Sequence, residues 1–164
     1  MEKNKKIQGL GGWLILIGIN VVVSPIVLLH ALVSVYIEIL SKDSWIWQST
    51  PGQPLYNPTF KTLVIAEVGM NVGLFFISLY LVQQFFGKKM LFPRLYSVFL
   101  IFSFLFLLSD MLVFHLIFPE LKIVNRETLW FIIRAGAGAA ICVPYLKYSE
   151  RVKNTFIVRS DSKE

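Results

Sequence analysis

The sequence predicts an all-α integral membrane protein, a four-helix transmembrane bundle with both termini in the cytoplasm. Three observations predict it. The 164 residues are 55% hydrophobic and only 16% charged, whereas about a quarter of the residues of a soluble domain are charged. Four segments each supply the roughly 20 apolar residues that cross a hydrocarbon core of about 30 Å. Basic residues are concentrated in alternate connections. No segment alternates with period two, which excludes a transmembrane barrel.

The four predicted spans are residues 13–40, 63–86, 95–118 and 129–148. Span one follows a short basic segment, but it is longer than the roughly 7–15 apolar residues of a secretory signal, so we expect a retained anchor. Pro25 lies inside this span and removes one backbone hydrogen bond, which predicts a kink. We expect a single membrane domain over residues 1–164, with a cytoplasmic tail at 149–164.

The connection between spans one and two, from Ser41 to Phe60, combines residues that interrupt regular structure with aromatic rings that favour the membrane surface. We expect an irregular loop lying on that surface; a lid over a ligand is the alternative. The residues concerned are Pro51, Gly52, Pro54 and Pro58, with Trp45, Trp47 and Tyr56.

Basic residues set the predicted orientation. They are frequent before span one, between spans two and three, and after span four, and the other two connections hold fewer and also carry acidic residues. Because cytoplasmic connections hold an excess of lysine and arginine, both termini are expected in the cytoplasm. The basic residues of the three rich segments are Lys3, Lys5, Lys6, Lys88, Lys89, Arg94, Lys147, Arg151, Lys153, Arg159 and Lys163.

Small residues mark the expected helix contacts, because helices in lipid associate by close packing and interhelical hydrogen bonds. Gly69 and Gly73 form a GxxxG pair in span two, and residues 135–140 of span four, including Gly136 and Gly138, are all alanine or glycine. At about 100° per residue, Glu67 and Asn71 share one face of span two and the glycine pair lies on roughly the opposite face. Span two is therefore expected to contact two neighbours.

Polar residues inside the spans form a second candidate group. An ionised side chain at mid-bilayer costs roughly 2.5–3.5 kcal/mol, so such residues usually face protein or a wet cavity. Three interpretations are open: a buried ion pair that specifies helix neighbours, with support from Asn71 or Ser103; a site that handles a solute or a proton; and side chains that reach the outer interface. The predicted cluster consists of Glu67, Asp110, Arg134, His30 and Asn71.

The segment after Pro144 carries apolar residues at helical spacing, with basic residues elsewhere around the axis. We expect it to lie at the cytoplasmic interface, as the anchored end of span four or as a short amphipathic helix that could dock a partner. Its basic residues would meet anionic lipid headgroups. The predicted interfacial residues are Tyr145, Tyr148, Arg151, Lys153 and Phe156.

Motifs of known catalytic or nucleotide-binding sites are missing from the sequence. The single cysteine, Cys142, rules out an intramolecular disulfide and a cysteine-based zinc site. A metal site would require His30, Asp110 and Glu67 to converge. We therefore expect no enzymatic activity, no cofactor, no metal and no nucleic-acid partner.

Short motifs near the two ends of the chain resemble the DUF2569 family of small bacterial membrane proteins. They are residues 9–14 (G-L-G-G-W-L) with Pro25, and residues 144–145 (P-Y), 149–152 (S-E-R-V) and 155–156 (T-F). The resemblance implies a protein of the bacterial cytoplasmic membrane, of about this size and with four spans. It implies no activity, because none is established for the family.

The predicted function is association in the membrane, with membrane lipids around the protein and either a second copy or another envelope protein as the partner. Such a role would be structural or accessory. The alternative is a small transporter or channel subunit with an outward-facing polar pocket for a proton or a small solute. Because four helices rarely enclose a path alone, that alternative also predicts an oligomer.

Overall fold

The protein is described by a computed structural model that covers residues 9–41, 43–53, 56–117 and 126–157. No β-strand occurs in these ranges, in agreement with the predicted all-α class. The elements are α1 (Trp13–His30), a π-helical segment (Ala31–Tyr36), α2 (Ile37–Ser41), α3 (Asp43–Ser49), α4 (Pro58–Phe86), α5 (Phe92–Ile117), α6 (Arg126–Tyr148) and α7 (Glu150–Thr155).

Four helical stretches are long and apolar enough to cross a membrane, and each overlaps one predicted span. The stretches are Trp13–Ser34, Pro58–Phe86, Phe92–Ile117 and Thr128–Tyr148. The predicted fold class, an all-α membrane protein with four spans, is confirmed. The first stretch ends at Ser34 rather than at residue 40, although helix continues to Ser41. The part of the predicted tail from residue 158 onward lies outside the described residues.

Helix α4 begins five residues before the predicted start of span two because the sequence Asn57-Pro58 opens it. The Asn57 Oδ1 accepts hydrogen bonds from the backbone N–H groups of Thr59 at 2.9 Å and Phe60 at 3.2 Å. A side-chain oxygen at this position satisfies donors that a helix start leaves unpaired. Pro58 occupies the first helical position, where proline costs no hydrogen bond.

The first span contains a short π-helical segment, Ala31–Tyr36, directly after α1. Helix α1 itself continues through Pro25 to His30. A π-helix makes i→i+5 hydrogen bonds, so it holds more residues per turn than an α-helix. The side chains that follow it therefore point in directions that an unbroken period of 3.6 residues does not predict.

The prediction of an irregular loop between spans one and two is wrong for residues 43–49, which form α3. Every proline and glycine of this connection comes after Ser49, so none of them interrupts a helix before that point. The Trp45 ring contacts the Phe60 ring at 6.1 Å between centroids.

The chain forms two compact units. Unit 1 is residues 1–21 and 81–164, and unit 2 is residues 22–80. The single membrane domain proposed from the sequence stays a prediction. Unit 1 contains the start of α1, the end of α4, and α5, α6 and α7. Unit 2 contains the rest of the first span, α2, α3 and most of α4.

Aromatic rings in contact with one another, some stacked and one edge-on, form the core of unit 1 near the start of α5. The Phe92 ring lies 5.1 Å from Phe85, 5.3 Å from Tyr96 and 4.8 Å from Phe156, measured between ring centroids. All four side chains are buried. Each aromatic pair of this kind contributes about 0.5–1.5 kcal/mol beyond the area it buries.

Candidate functional site

The two sequence motifs near the ends of the chain meet in unit 1. The backbone N–H of Gly9 donates to the Thr155 Oγ1 at 3.0 Å, and the same hydroxyl lies 3.4 Å from the Gly9 carbonyl oxygen, to which it donates. Thr155 is 3% exposed, so these two hydrogen bonds are shielded from the surroundings of the protein. We call Gly9, Gly11, Arg151, Thr155 and Phe156 the end-motif cluster.

The glycines of the first motif have two different kinds of surroundings. A Cβ atom at Gly11 would lie 2.6 Å from Nη1 of Arg151, so the guanidinium occupies the space that a side chain would fill. Gly9 and Gly12 have φ angles of +96° and +61°, in the left-handed region that favours glycine. In the turn before α1, the Arg151 guanidinium thus lies close to Gly11, and the backbone at Gly9 and Gly12 has positive φ angles.

The second motif forms α7 and turns its apolar side toward the protein. Val152 is buried, and the Phe156 ring stacks on Phe92 and also lies 5.8 Å from Phe85. Phe156 therefore faces the core of unit 1 and not a lipid surface. The contacts of the end-motif cluster hold the turn before α1 against α7. They are two hydrogen bonds, the stacking of Phe156 on Phe92, and the Arg151 guanidinium beside Gly11.

Three other predicted interfacial residues, Tyr145, Tyr148 and Lys153, are less buried than Phe156. Tyr148 is 68% exposed, Lys153 is exposed, and Tyr145 is half-buried. The Lys147 Nζ lies 5.4 Å from the centroid of the Tyr148 ring, within the range of a cation–π contact. Tyr148 and Lys153 thus lie outside the core of unit 1, whereas Phe156 lies within it, and their place at a membrane surface stays a prediction.

A hydrogen-bonded polar network occupies unit 2. The Tyr36 hydroxyl donates to the Glu67 Oε1 at 2.9 Å, and the Asn71 Nδ2 donates to the Tyr36 hydroxyl at 2.9 Å. The Asn71 Nδ2 also donates to the backbone oxygen of Glu67 at 3.0 Å. The shared face of Glu67 and Asn71 is thus the face that meets the first span. His30 is exposed and is not one of the three members of this network.

Tyr36 is the member that the sequence reasoning missed. It is 6% exposed and is the last residue of the π-helical segment. The available signal was the residue type: a buried tyrosine hydroxyl usually has a hydrogen-bond partner.

The structure does not bring Arg134 to Asp110. Asp110 on α5 is half-buried, Arg134 on α6 is exposed, and the two form no ion pair in the described part of the chain. A Cβ atom at Gly136 would lie 3.1 Å from the Phe104 ring of α5. Arg134 precedes Gly136 by two residues, about 200° around the helix, so it points away from α5.

The four predicted packing glycines differ in their surroundings. Phe104 fills the space beside Gly136, whereas a Cβ atom at Gly138 would have no neighbour within 4 Å. Within unit 2, a Cβ atom at Gly69 or Gly73 would also have none. The sequence reasoning missed Gly18, where a Cβ atom would lie 2.9 Å from two ring carbons of Phe85.

Among the described residues, no three histidine, cysteine, aspartate or glutamate side chains are close enough together to hold a metal ion. Comparison with curated proteins found no match to the chain, and neither did comparison with solved structures. The family model of DUF2569, a protein of unknown function, matches residues 7–157. That range includes both halves of the end-motif cluster. The chain therefore belongs to the DUF2569 family.

Proposed function

We propose that the protein is a non-enzymatic protein of the bacterial cytoplasmic membrane that acts by associating with a second copy of itself. The contact surface is one side of α4, which we call the glycine face. Around an α-helix its members lie within about 60° of Gly69, and all five are exposed. The glycine face consists of Ala66, Gly69, Gly73, Phe76 and Tyr80.

The open space beside Gly69 and Gly73 carries the proposal. At two other helix glycines an aromatic ring takes up the space that the glycine leaves: Phe85 at Gly18 and Phe104 at Gly136. Nothing in unit 2 does so at the glycine pair. Because helices in lipid gain free energy chiefly by close packing at small residues, a second helix is the natural occupant.

A second copy fits this face because the face can pair with itself. Large Phe76, 63% exposed, follows the small residues Gly69 and Gly73 on the same side of the helix. A two-fold contact sets identical faces against each other, and a GxxxG pair permits two backbones to cross closely. Phe76 of each copy then covers apolar surface beyond the glycine pair of the other.

The proposed orientation has both termini in the cytoplasm. It is supported by the basic residues of the connection between α4 and α5 and of α7, including Lys88, Lys89 and Lys153, because basic residues collect on the cytoplasmic side. Reporter fusions test it. Green fluorescent protein should fluoresce when fused at either terminus, and alkaline phosphatase should be inactive there. An active phosphatase at one end would contradict the orientation.

Cysteine cross-linking in native membranes tests the association. In a Cys142→Ser background, Phe76→Cys and Tyr80→Cys place thiols on the glycine face, whereas Met70→Cys and Leu79→Cys place them about 90° away on the same helix. All four positions are exposed, so their accessibility to an oxidant is matched. We expect dimers from the first pair and far fewer from the second.

Replacement of both glycines tests whether the cross-linked contact depends on the small residues of the glycine face. Gly69→Ile with Gly73→Ile should abolish cross-linking through Phe76→Cys, and Met70→Ile should leave it intact. Equal cross-linking on and off the glycine face would refute the proposal. A cross-linked product whose mass differs from that of a dimer would show that the partner at the glycine face is another envelope protein and not a second copy.

A further inference from the structure

Ser103, near the middle of α5, carries a hydroxyl that differs from the other serine hydroxyls of the long helices. Ser78, Ser97 and Ser109 each donate to a carbonyl of their own helix, at 2.7, 2.7 and 2.8 Å. This local bond is the usual solution for a serine inside a helix. The Ser103 Oγ is buried and has no hydrogen-bond partner in the described part of the chain.

A buried hydroxyl without a partner is unfavourable by about 1–3 kcal/mol. A buried water molecule usually satisfies such a group, provided that other polar partners are near. Ser103 could form the local helix bond, since serines 97 and 109 do so on the same helix. The Ser103 hydroxyl does not form this bond, and a bound water on this side of α5 would supply the missing partner.

Polar partners for that water lie along the same face of the helix. Tyr96, Ser103 and Asp110 are spaced by seven residues, which returns to the same side of an α-helix within about 20° per step. Each step rises about 10.5 Å. The Tyr96 hydroxyl accepts a hydrogen bond from the Asn20 Nδ2 at 2.8 Å. Asp110 is half-buried and forms no hydrogen bond or ion pair with any described residue.

We propose that this face of α5 is a hydrated path for protons. The Asp110 carboxylate takes up a proton from water at the Ile117 end, and a chain of water molecules carries a proton onward to Ser103. A gap of about 10.5 Å holds roughly three waters at hydrogen-bond spacing. The Ser103 hydroxyl accepts one proton on a lone pair as it donates its own, so it is unchanged after transfer. The Tyr96–Asn20 pair is the next polar group along the path.

The charged and titratable neighbours leave Asp110 available for this role. On α6, Arg134 points away from α5, and Cys142 lies within electrostatic range of Tyr96 rather than beside Asp110. His115 is exposed and lies about 140° around α5 from Asp110. On α1 the hydrogen-bonding neighbour is Asn20, which does not titrate. None of these described groups pairs with Asp110, so water is the partner that the proposed path would supply.

Proton flux through the full chain, purified and reconstituted in liposomes, tests the path. A potassium diffusion potential drives protons inward, and an enclosed pH-sensitive dye reports them. We expect flux above that of protein-free liposomes, a fall to background for Asp110→Asn, and a clear reduction for Ser103→Ala. Ser103→Thr keeps the hydroxyl and should restore flux. Ser109→Ala is the matched control and should behave as the unmodified protein.

Two outcomes would overturn the inference: an unmodified protein with no more flux than empty liposomes, or an Asp110→Asn variant with undiminished flux. Circular dichroism of each variant identifies loss of flux that results from loss of fold, and Ser103→Thr then decides the role of the hydroxyl. This path does not depend on the proposed association. Cross-linking through Phe76→Cys should persist in the Asp110→Asn variant, so failure of either proposal is visible separately.

Discussion

In unit 1, aromatic rings fill the space beside Gly18 and Gly136, whereas in unit 2 the space beside Gly69 and Gly73 is open. Unit 1 is held by packing: rings stack on one another and press against helix backbones. In unit 2, the hydrogen bonds of Tyr36 join the first span to α4.

A glycine in a membrane helix can therefore serve either of two kinds of contact. Where a side chain of the same chain fills the space beside a glycine, the contact contributes to the fold of that chain. A glycine left open by its own unit is available to a second chain. Sequence alone does not separate the two uses, because the filling residue is far away: Phe85 is 67 residues from Gly18, and Phe104 is 32 residues from Gly136.

Loss of a ring from the packed unit should have the largest effect. Phe156→Ala removes the side chain that stacks on Phe92 and contacts Phe85. Truncation of a buried phenylalanine costs about 3–5 kcal/mol, and we expect a decrease of that size in the free energy of unfolding, measured by denaturant titration in detergent. Ile157→Ala is the control, since Ile157 is 64% exposed, and it should change stability little. Similar losses from both variants would show that α7 is not packed against the core.

A side chain added at a filled glycine should have the next largest effect. Gly18→Val places a Cβ atom 2.9 Å from two carbons of the Phe85 ring, and Phe85 cannot move freely because it is 2% exposed. Overpacking of this kind typically costs about 1–3 kcal/mol. Gly69→Val, at an open glycine, is the matched substitution and should leave the stability of the monomer unchanged. Equal destabilisation would remove the distinction between filled and open glycines.

Within the turn before α1, backbone conformation should matter more than space. Gly12→Ala forces a side chain onto a φ angle of +61°, which costs roughly 1–2 kcal/mol for a residue other than glycine. Gly11→Ala collides only with the end of the flexible Arg151 side chain, which can move aside. We expect Gly12→Ala to lower the thermal unfolding temperature more than Gly11→Ala does. The reverse order would indicate that the guanidinium is held rigidly in place.

The four spans could be predicted from sequence because their signal is local: enough consecutive apolar residues to cross a bilayer. The faces of α4 could be predicted as well, since Glu67 and Asn71 bond to the same tyrosine and the glycine pair lies opposite. Both results depend only on residues of one continuous helix: on its apolar length in the first case and on its regular period in the second.

What escaped prediction depends on departures from that period or on contacts between distant segments. Tyr36, which donates to Glu67, ends a π-helical segment, and the composition of residues 31–36 gives no sign of that segment. The end-motif cluster joins Gly9 to Thr155, 146 residues apart. The sequence marked both motifs, but one chain without contacts cannot show that they meet.

The hydrogen-bonded network of unit 2 should give the smallest effect of the series. Tyr36→Phe removes one hydroxyl that donates to Glu67 and accepts from Asn71. Interhelical hydrogen bonds in membranes average about 0.6 kcal/mol, because the unfolded chain also finds polar partners in the bilayer. We expect a decrease near that value, well below the effects of Phe156→Ala and Gly18→Val. Tyr80→Phe, at a 45% exposed position on the same helix as Glu67, should leave the monomer's stability unchanged. A loss of stability from Tyr36→Phe as large as that from Gly18→Val would mean that hydrogen bonds stabilise unit 2 as strongly as packing stabilises unit 1. The two units would then differ in the kind of interaction that holds them together but not in its free energy.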